Sequence, residues 1–230
     1  MSRKKTLRII LAVTLAVVLA AGATLAYLTA VTPEAVNVFT FSSNISGEIE
    51  EPEWDDEIWD PDENGGNGGR RRRTPNTPDE ELGENLAKDI LPGRVIPKDP
   101  ALVNTSAIDI YGALKVQFVN GNGGALTAPQ LTALMANITI DWNTTAWTLL
   151  DGTRTAASHV VYYNDSIASK ARTTPYFTNV TINSSITPAD LLILQGIPNG
   201  FHIKIIGAVI QAEGFANAAA ASTELLTVFP

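Results

Sequence analysis

The sequence predicts an all-β protein: a jelly-roll-like β-sandwich with a few short helices, preceded by an N-terminal signal helix and a disordered acidic and Gly/Arg insertion. Three observations carry that expectation. Short stretches after Ile90 alternate apolar and polar residues with period two. Helix-start signals fall between those stretches, without the regular strand–helix alternation of a parallel α/β sheet. The chain has no cysteine, so its fold rests on burying apolar surface without disulfide staples.

The chain opens with Arg3, Lys4, Lys5 and Arg8 ahead of an uncharged run from Ile9 to Leu28. A basic start, an apolar centre and a small-residue end make a secretory signal. Ala21-Gly22-Ala23 allows a cut after Ala23, and Thr24-Leu25-Ala26 allows one after Ala26. An uncleaved anchor is the other reading, because about twenty apolar residues span a bilayer. Four of the 16 basic residues lie within residues 1–26, so cleavage leaves 12 against 24 acidic ones, a net charge of −12. Such a balance argues against nucleic acid as a partner.

Residues 27–54 read as an N-terminal strand segment that completes the sheet of the main domain. Its core is Val36-Asn37-Val38-Phe39-Thr40-Phe41, which has the look of extended chain. Residues 55–89 read as a low-complexity charged insertion. Ten acidic residues and no basic one lie between Glu48 and Glu63, followed by NGGNGGRRRR. Neither helix nor strand periodicity is present, and low apolar content leaves little to offset chain entropy, which predicts mobility from about residue 55 to 85. Trp54 and Trp59 stand out, and at least one is expected to pack on the folded body. The Arg70 to Arg73 run lies between acidic clusters, which favours local charge neutralisation. The acidic run lacks the ligand spacing of a calcium loop.

Residues 90–230 read as the β-sandwich domain, of ordinary single-domain size. Ile108, Ile110, Leu114, Val116 and Phe118 alternate with polar residues to predict a half-buried strand. Further strands are expected at 137–142, 147–150, 160–163, 176–182 and 201–210. Thr127 with Gln130, and Thr187-Pro188 with Asp190, are helix starts in which a hydroxyl and a third-position side chain cap one another. An Ala-rich helix is expected over about 215–226.

No catalytic grouping emerges. The two histidines, His159 and His202, have no partner at ligand spacing and read as surface or rim residues, so neither a metal nor another cofactor is implied. No G-x-S-x-G occurs, and the glycines at 121–124 suit a hairpin better than a phosphate loop. Seven Asn-x-Ser/Thr triplets begin at Asn44, Asn104, Asn137, Asn143, Asn164, Asn179 and Asn183. Composition alone accounts for most of them.

Six stretches together resemble the secreted TasA/camelysin (CalY) family: GATLAYLTA, VNVFTF, EPEWD, LPGRVIPKDPALVNTSAIDIYGALKV, YYNDSIASKARTTPYFTNVTI and IIGAVIQAEGFANAAAA. They span most of the chain beyond the signal, and the Gly/Arg insertion near 64–84 departs from the pattern. The resemblance implies a leader handled by a SipW-type signal peptidase, with the cut after Ala26 leaving Tyr27 as the new end. It also implies a jelly-roll-like sandwich at the cell surface, with relatives that form biofilm-matrix fibres through an N-terminal strand completing the next subunit's sheet. Camelysin's classification as a surface metalloprotease finds no zinc constellation here.

The residues themselves give the freed end a physical task. Val36, Val38, Phe39, Phe41 and Ile45 form an apolar ribbon, and burying each is worth about 1.5–3 kcal/mol before entropy. Adding the ribbon to the sheet of an identical copy makes an open polymer. The expected protein is therefore a non-enzymatic, secreted fibre subunit of the cell surface or extracellular matrix. Its partners are itself and, during export, the signal peptidase; membrane contact is expected only through the uncleaved signal. The alternatives are a monomeric surface-binding or adhesion module, and a camelysin-type protease.

Overall fold

Period-two alternation becomes two antiparallel eleven-residue strands, and the rest of the molecule is organised around them. The computed structural model describes residues 29–32, 39–41, 45–63, 68–73, 81–88, 90–150 and 152–229. Strand β8 (Ile110–Asn120) pairs along its full length with β13 (Phe201–Gln211), from Ile110 opposite Gln211 to Asn120 opposite Phe201. They form the centre of a five-stranded sheet in the order β1-β13-β8-β11-β10, where β1 is Thr29–Thr32, β10 Trp147–Leu149 and β11 Ser158–Tyr163.

One face of this sheet packs on two three-stranded sheets. The first is β2-β3-β7, made of Phe39–Phe41, Ile45–Glu50 and Ala101–Asn104. The second is β6-β12-β9, made of Val95–Pro97, Asn179–Ile182 and Ile138–Ile140. Ile45 and Ile49 from β3, Leu102 from β7, Ile110, Leu114 and Val116 from β8, Val180 from β12 and Val209 from β13 share one buried cluster. The opposite face is covered by the C-terminal helix Ala218–Val228, whose Ala221 and Leu225 pack on Ala113, Val160, Ala208 and Ile210. Burial on both faces explains why Ala113 and Ala208, on the face away from the larger cluster, are buried as well. The protein is thus β-rich, with short helices.

The helix starts read from the sequence hold. In the helix Ala128–Asn137, the Thr127 N–H donates to Gln130 Oε1 at 3.0 Å. In Pro188–Gln195, the Asp190 N–H donates to Thr187 Oγ1 at 3.1 Å. The C-terminal helix is capped by Asn217, whose Oδ1 accepts from the Ala220 N–H at 2.9 Å.

Strand boundaries shift where side chains capture the backbone. The strand expected from Ile108 begins at Ile110, because Asn104 Nδ2 takes the Ile108 carbonyl at 2.7 Å. The strand expected over 176–182 is confined to Asn179–Ile182. Just ahead of it, Asp141 accepts the Thr178 and Asn179 N–H groups, both at 2.8 Å.

The largest departure from expectation lies in the insertion. Among its described residues, β4 (Glu57–Asp60) and β5 (Gly69–Arg72) form an antiparallel hairpin, and Gly83–Leu86 forms one helical turn. Trp59 anchors the hairpin, 4% exposed, with Lys170 Nζ 5.2 Å from its ring centroid. Gly68 sits at φ 79°, and a Cβ there would come within 2.5 Å of the Trp59 ring, so only glycine fits. Burial of this indole, together with paired charges, supplies order that apolar content alone would not.

Candidate assembly edge and its charged latch

The outer edge of the five-stranded sheet is where the N-terminal strand β1 meets the fold. Thr29, Ala30, Val31 and Thr32 of β1 lie opposite Ile210, Val209, Ala208 and Gly207 of β13, so the described strand covers only the C-terminal part of an eleven-residue neighbour. Beside the other end of β13, an apolar cavity of about 330 Å³ is lined by Phe201, Ile203, Ile205, Ile96, Val180 and Trp54. A second, of about 470 Å³, shares Trp54, Ile90 and Phe201 with it and extends toward Leu191 and Leu194. Leu192 nearby is 71% exposed. Sheet edge and apolar groove together offer the two things an added strand needs, backbone partners and pockets for alternate side chains.

The residues expected to act in processing and assembly separate into three groups. Ala26, Tyr27, Val36 and Val38 lie outside the described residues. Phe39 and Phe41 belong to β2, opposite Gly47 and Ile45 of β3. Ile45 is 2% exposed and part of the chain's own core, so it is not a side chain left over for a neighbour. The cause is close crossing of β3 over β13. A Cβ on Gly47 would lie 3.0 Å from Val209 Cγ1, and that proximity seats Ile45 and Ile49 in the interior.

The acidic run and the Arg70 to Arg73 run form a latch beside the groove. Arg70 meets Glu48 at 3.1 Å and Glu57 at 3.3 Å, Arg71 meets Asp60, Arg72 meets Asp56 at 2.7 Å, and Arg73 meets Glu53 at 3.4 Å. The arginines therefore neutralise the acidic cluster that precedes them. Glu50, 1% exposed, accepts the Trp59 N–H through Oε2 at 2.9 Å. Its Oε1 makes no well-angled hydrogen bond but lies 2.5 Å from an Arg172 guanidinium nitrogen, so its charge is met. Lys98 Nζ reaches both Glu51 oxygens at 2.7 Å and stands 4.5 Å from the Trp54 ring centroid, joining the latch to the groove wall.

Burial raises the pKa of Glu48, Glu50 and Asp55 despite their hydrogen-bonding or cationic partners. Asp99 is pushed furthest, to about 7, by burial and then by the negative charges of Glu53 and Glu51, although the Glu53 N–H donates to its Oδ1 at 2.9 Å.

Both histidines read as surface or rim residues in the sequence, and the structure separates them. His202 is exposed beside the groove. His159 instead shares the inner face of β11 with Val161 and packs among aromatic rings. Its two-residue spacing from Val161 and Tyr163 was the available signal. The Asn-x-Ser/Thr triplets are largely structural: Asn104 and Asn137 are buried, and their amides donate to main-chain carbonyls.

The geometry defines a class, a β-rich protein whose candidate site is a sheet edge with an apolar groove and an ion-paired latch. Compared with family models and with curated proteins, the chain matches none.

Proposed function

We propose that the chain is a secreted structural subunit of the TasA/camelysin type, a jelly-roll-like sandwich that assembles into surface or matrix fibres by N-terminal strand addition after signal cleavage. The observation that carries this reading is the position of β1. It begins two residues beyond Tyr27, the expected new end, and takes the edge of the main sheet through only four register pairs. A strand so short gains little from its hydrogen bonds alone. The same pairs form equally well in a neighbour's sheet, so exchange between copies has a low thermodynamic cost, and head-to-tail exchange propagates without closing. Before cleavage the strand remains joined to the leader, which makes processing the trigger.

The absence of cysteine makes a direct test simple. Val31 and Ala208 are register partners, so the secreted V31C/A208C variant, oxidised and run without reductant, reports where β1 resides. The expected result is a ladder of covalent multimers matching fibres seen by negative stain. A single band at monomer size from material that stays monomeric at high concentration rejects the proposal. That outcome favours the surface-binding module instead, a reading the intramolecular β1–β13 pairing supports. Deleting Tyr27 to Phe41 is expected to abolish fibres.

A further inference from the structure

A third cavity, remote from the β1 edge, has the construction of a small-molecule site. It opens between the β10–β11 side of the main sheet and β9, has a volume of about 530 Å³, and falls in the usual size range for ligand pockets. Its walls are largely apolar: Phe118, Ile138, Ile140 and Leu149, with Met135 at the mouth. One side is aromatic. Trp142 meets His159 edge-on at 5.1 Å and lies tilted over Tyr176 at 4.9 Å, while His159 Nε2 and Tyr176 Oη are hydrogen-bonded at 3.1 Å.

Burial, with a smaller push from the nearby Arg154 charge, holds His159 down to about 4. Burial raises Tyr176 to about 12 against the opposing pull of that same charge. Both groups are therefore neutral at physiological pH. Among the described residues Arg154 is then the one charged side chain lining the cavity, and none of their carboxylates pairs with it. In a chain of net charge −8, a cation at an apolar cavity stands against the overall field.

The main chain of the arginine is also held in place. Thr153 Oγ1 donates to the Leu150 carbonyl at 2.7 Å and accepts the Val160 N–H at 3.1 Å, and the Thr155 N–H donates to the Ser158 carbonyl at 2.7 Å. Both neighbours of Arg154 are thus fixed to the β10–β11 hairpin, which sets the main chain of Arg154 at the cavity while its exposed side chain is ordered on binding.

We propose that this cavity binds an organic carboxylate with an apolar, preferably aromatic, body. The ring lies among Trp142, Ile138, Ile140 and Leu149, and the carboxylate meets the Arg154 fork, a geometry that suits two parallel N–H···O bonds. The site involves neither β1 nor the groove beside β13, so it operates in a polymer and in a monomer alike.

Calorimetric titration of the secreted protein with 2-naphthoate, 2-naphthamide and glucuronate tests the assignment. Naphthoate is expected to bind at least about tenfold more tightly than its uncharged amide or the sugar acid, which lacks an apolar body. Arg154→Gln is expected to abolish the preference for the acid while leaving the amide unchanged. Met135→Trp, which fills the mouth without emptying the core, is expected to weaken both aromatic probes. Equal affinity for acid and amide, an unaltered naphthoate affinity in Arg154→Gln, tighter binding of glucuronate, or no binding of either aromatic probe to the folded protein overturns the proposal.

Discussion

Replacing Asn104 by alanine is expected to destabilise the protein by about 3–5 kcal/mol. Asn104 has no exposed surface. Its Nδ2 donates to the Ile108 carbonyl at 2.7 Å and the Ile167 carbonyl at 2.9 Å, while its Oδ1 accepts the Ser106 N–H at 2.9 Å and the Ser106 hydroxyl at 2.5 Å. One side chain therefore closes the turn between β7 and β8 and fastens the 167 segment to both. Alanine leaves several of these buried groups without a partner, and each costs more than an average hydrogen bond contributes. Against a total stability of about 5–15 kcal/mol, the loss is large. Urea unfolding checks it, with the exposed Asn122, whose Oδ1 accepts one bond from Asn199 at 2.6 Å, as comparison; Asn122→Ala is expected to cost under about 1 kcal/mol. A similar cost for both variants would show that burial of the Asn104 network is not what stabilises the turn. Asn104→Asp at neutral pH is expected to be at least as damaging as alanine, since it removes both donors and buries a charge.

Asp99→Asn is expected to change how stability responds to pH. The ordinary pKa of this carboxyl is 3.8 and the folded chain holds it at about 7, mainly by burial. Between roughly pH 4 and 7 the native protein therefore retains a proton that the unfolded chain releases. Stability falls as pH rises through that window, and the contribution is fully lost above about 7. The asparagine variant keeps an oxygen for the Glu53 N–H and has nothing to ionise. It is expected to be more stable than wild type at pH 8, by an amount on the order of 2 kcal/mol, and to match it near pH 4. Denaturation midpoints at the two pH values decide the matter: a gap between variant and wild type that does not change with pH would contradict it. Glu48, Glu50 and Asp55 are raised in the same direction, so a residual slope is expected in the variant.

Much of the scaffold was legible because its signals are local. Alternation through Leu114, Val116 and Phe118 and through Ile203 and Ile205 needs only neighbours two residues apart, and both stretches became long strands. Thr127, Thr187 and their third-position partners mark helices within a single turn. The hairpin at 57–72 was missed because its order comes from one indole and from charges up to 22 residues apart, as in Arg70 with Glu48. A charge run has the same composition whether it is solvated or paired. His159 sits half-buried at the cavity because Trp142 and Tyr176 arrive from two other segments to pack on it, contacts that no local pattern announces. Arg154 carries no local signal, since an arginine in a loop acquires meaning only when a cavity forms beside it.

By itself the sequence determined that this chain favours strands over helices and places the apolar ribbon from Val36 to Phe41 behind a basic start and an uncharged apolar run. Tertiary structure alone decided that β1 lies against the last residues of β13, that Ile45 belongs to the interior, and which acid each of Arg70 to Arg73 meets, their neutralisation by the flanking acids being legible already. The physical reason is range. Backbone preference and side-chain periodicity act over a few residues, whereas edges, latches and cavities arise from groups brought together by folding after tens or hundreds of residues of separation.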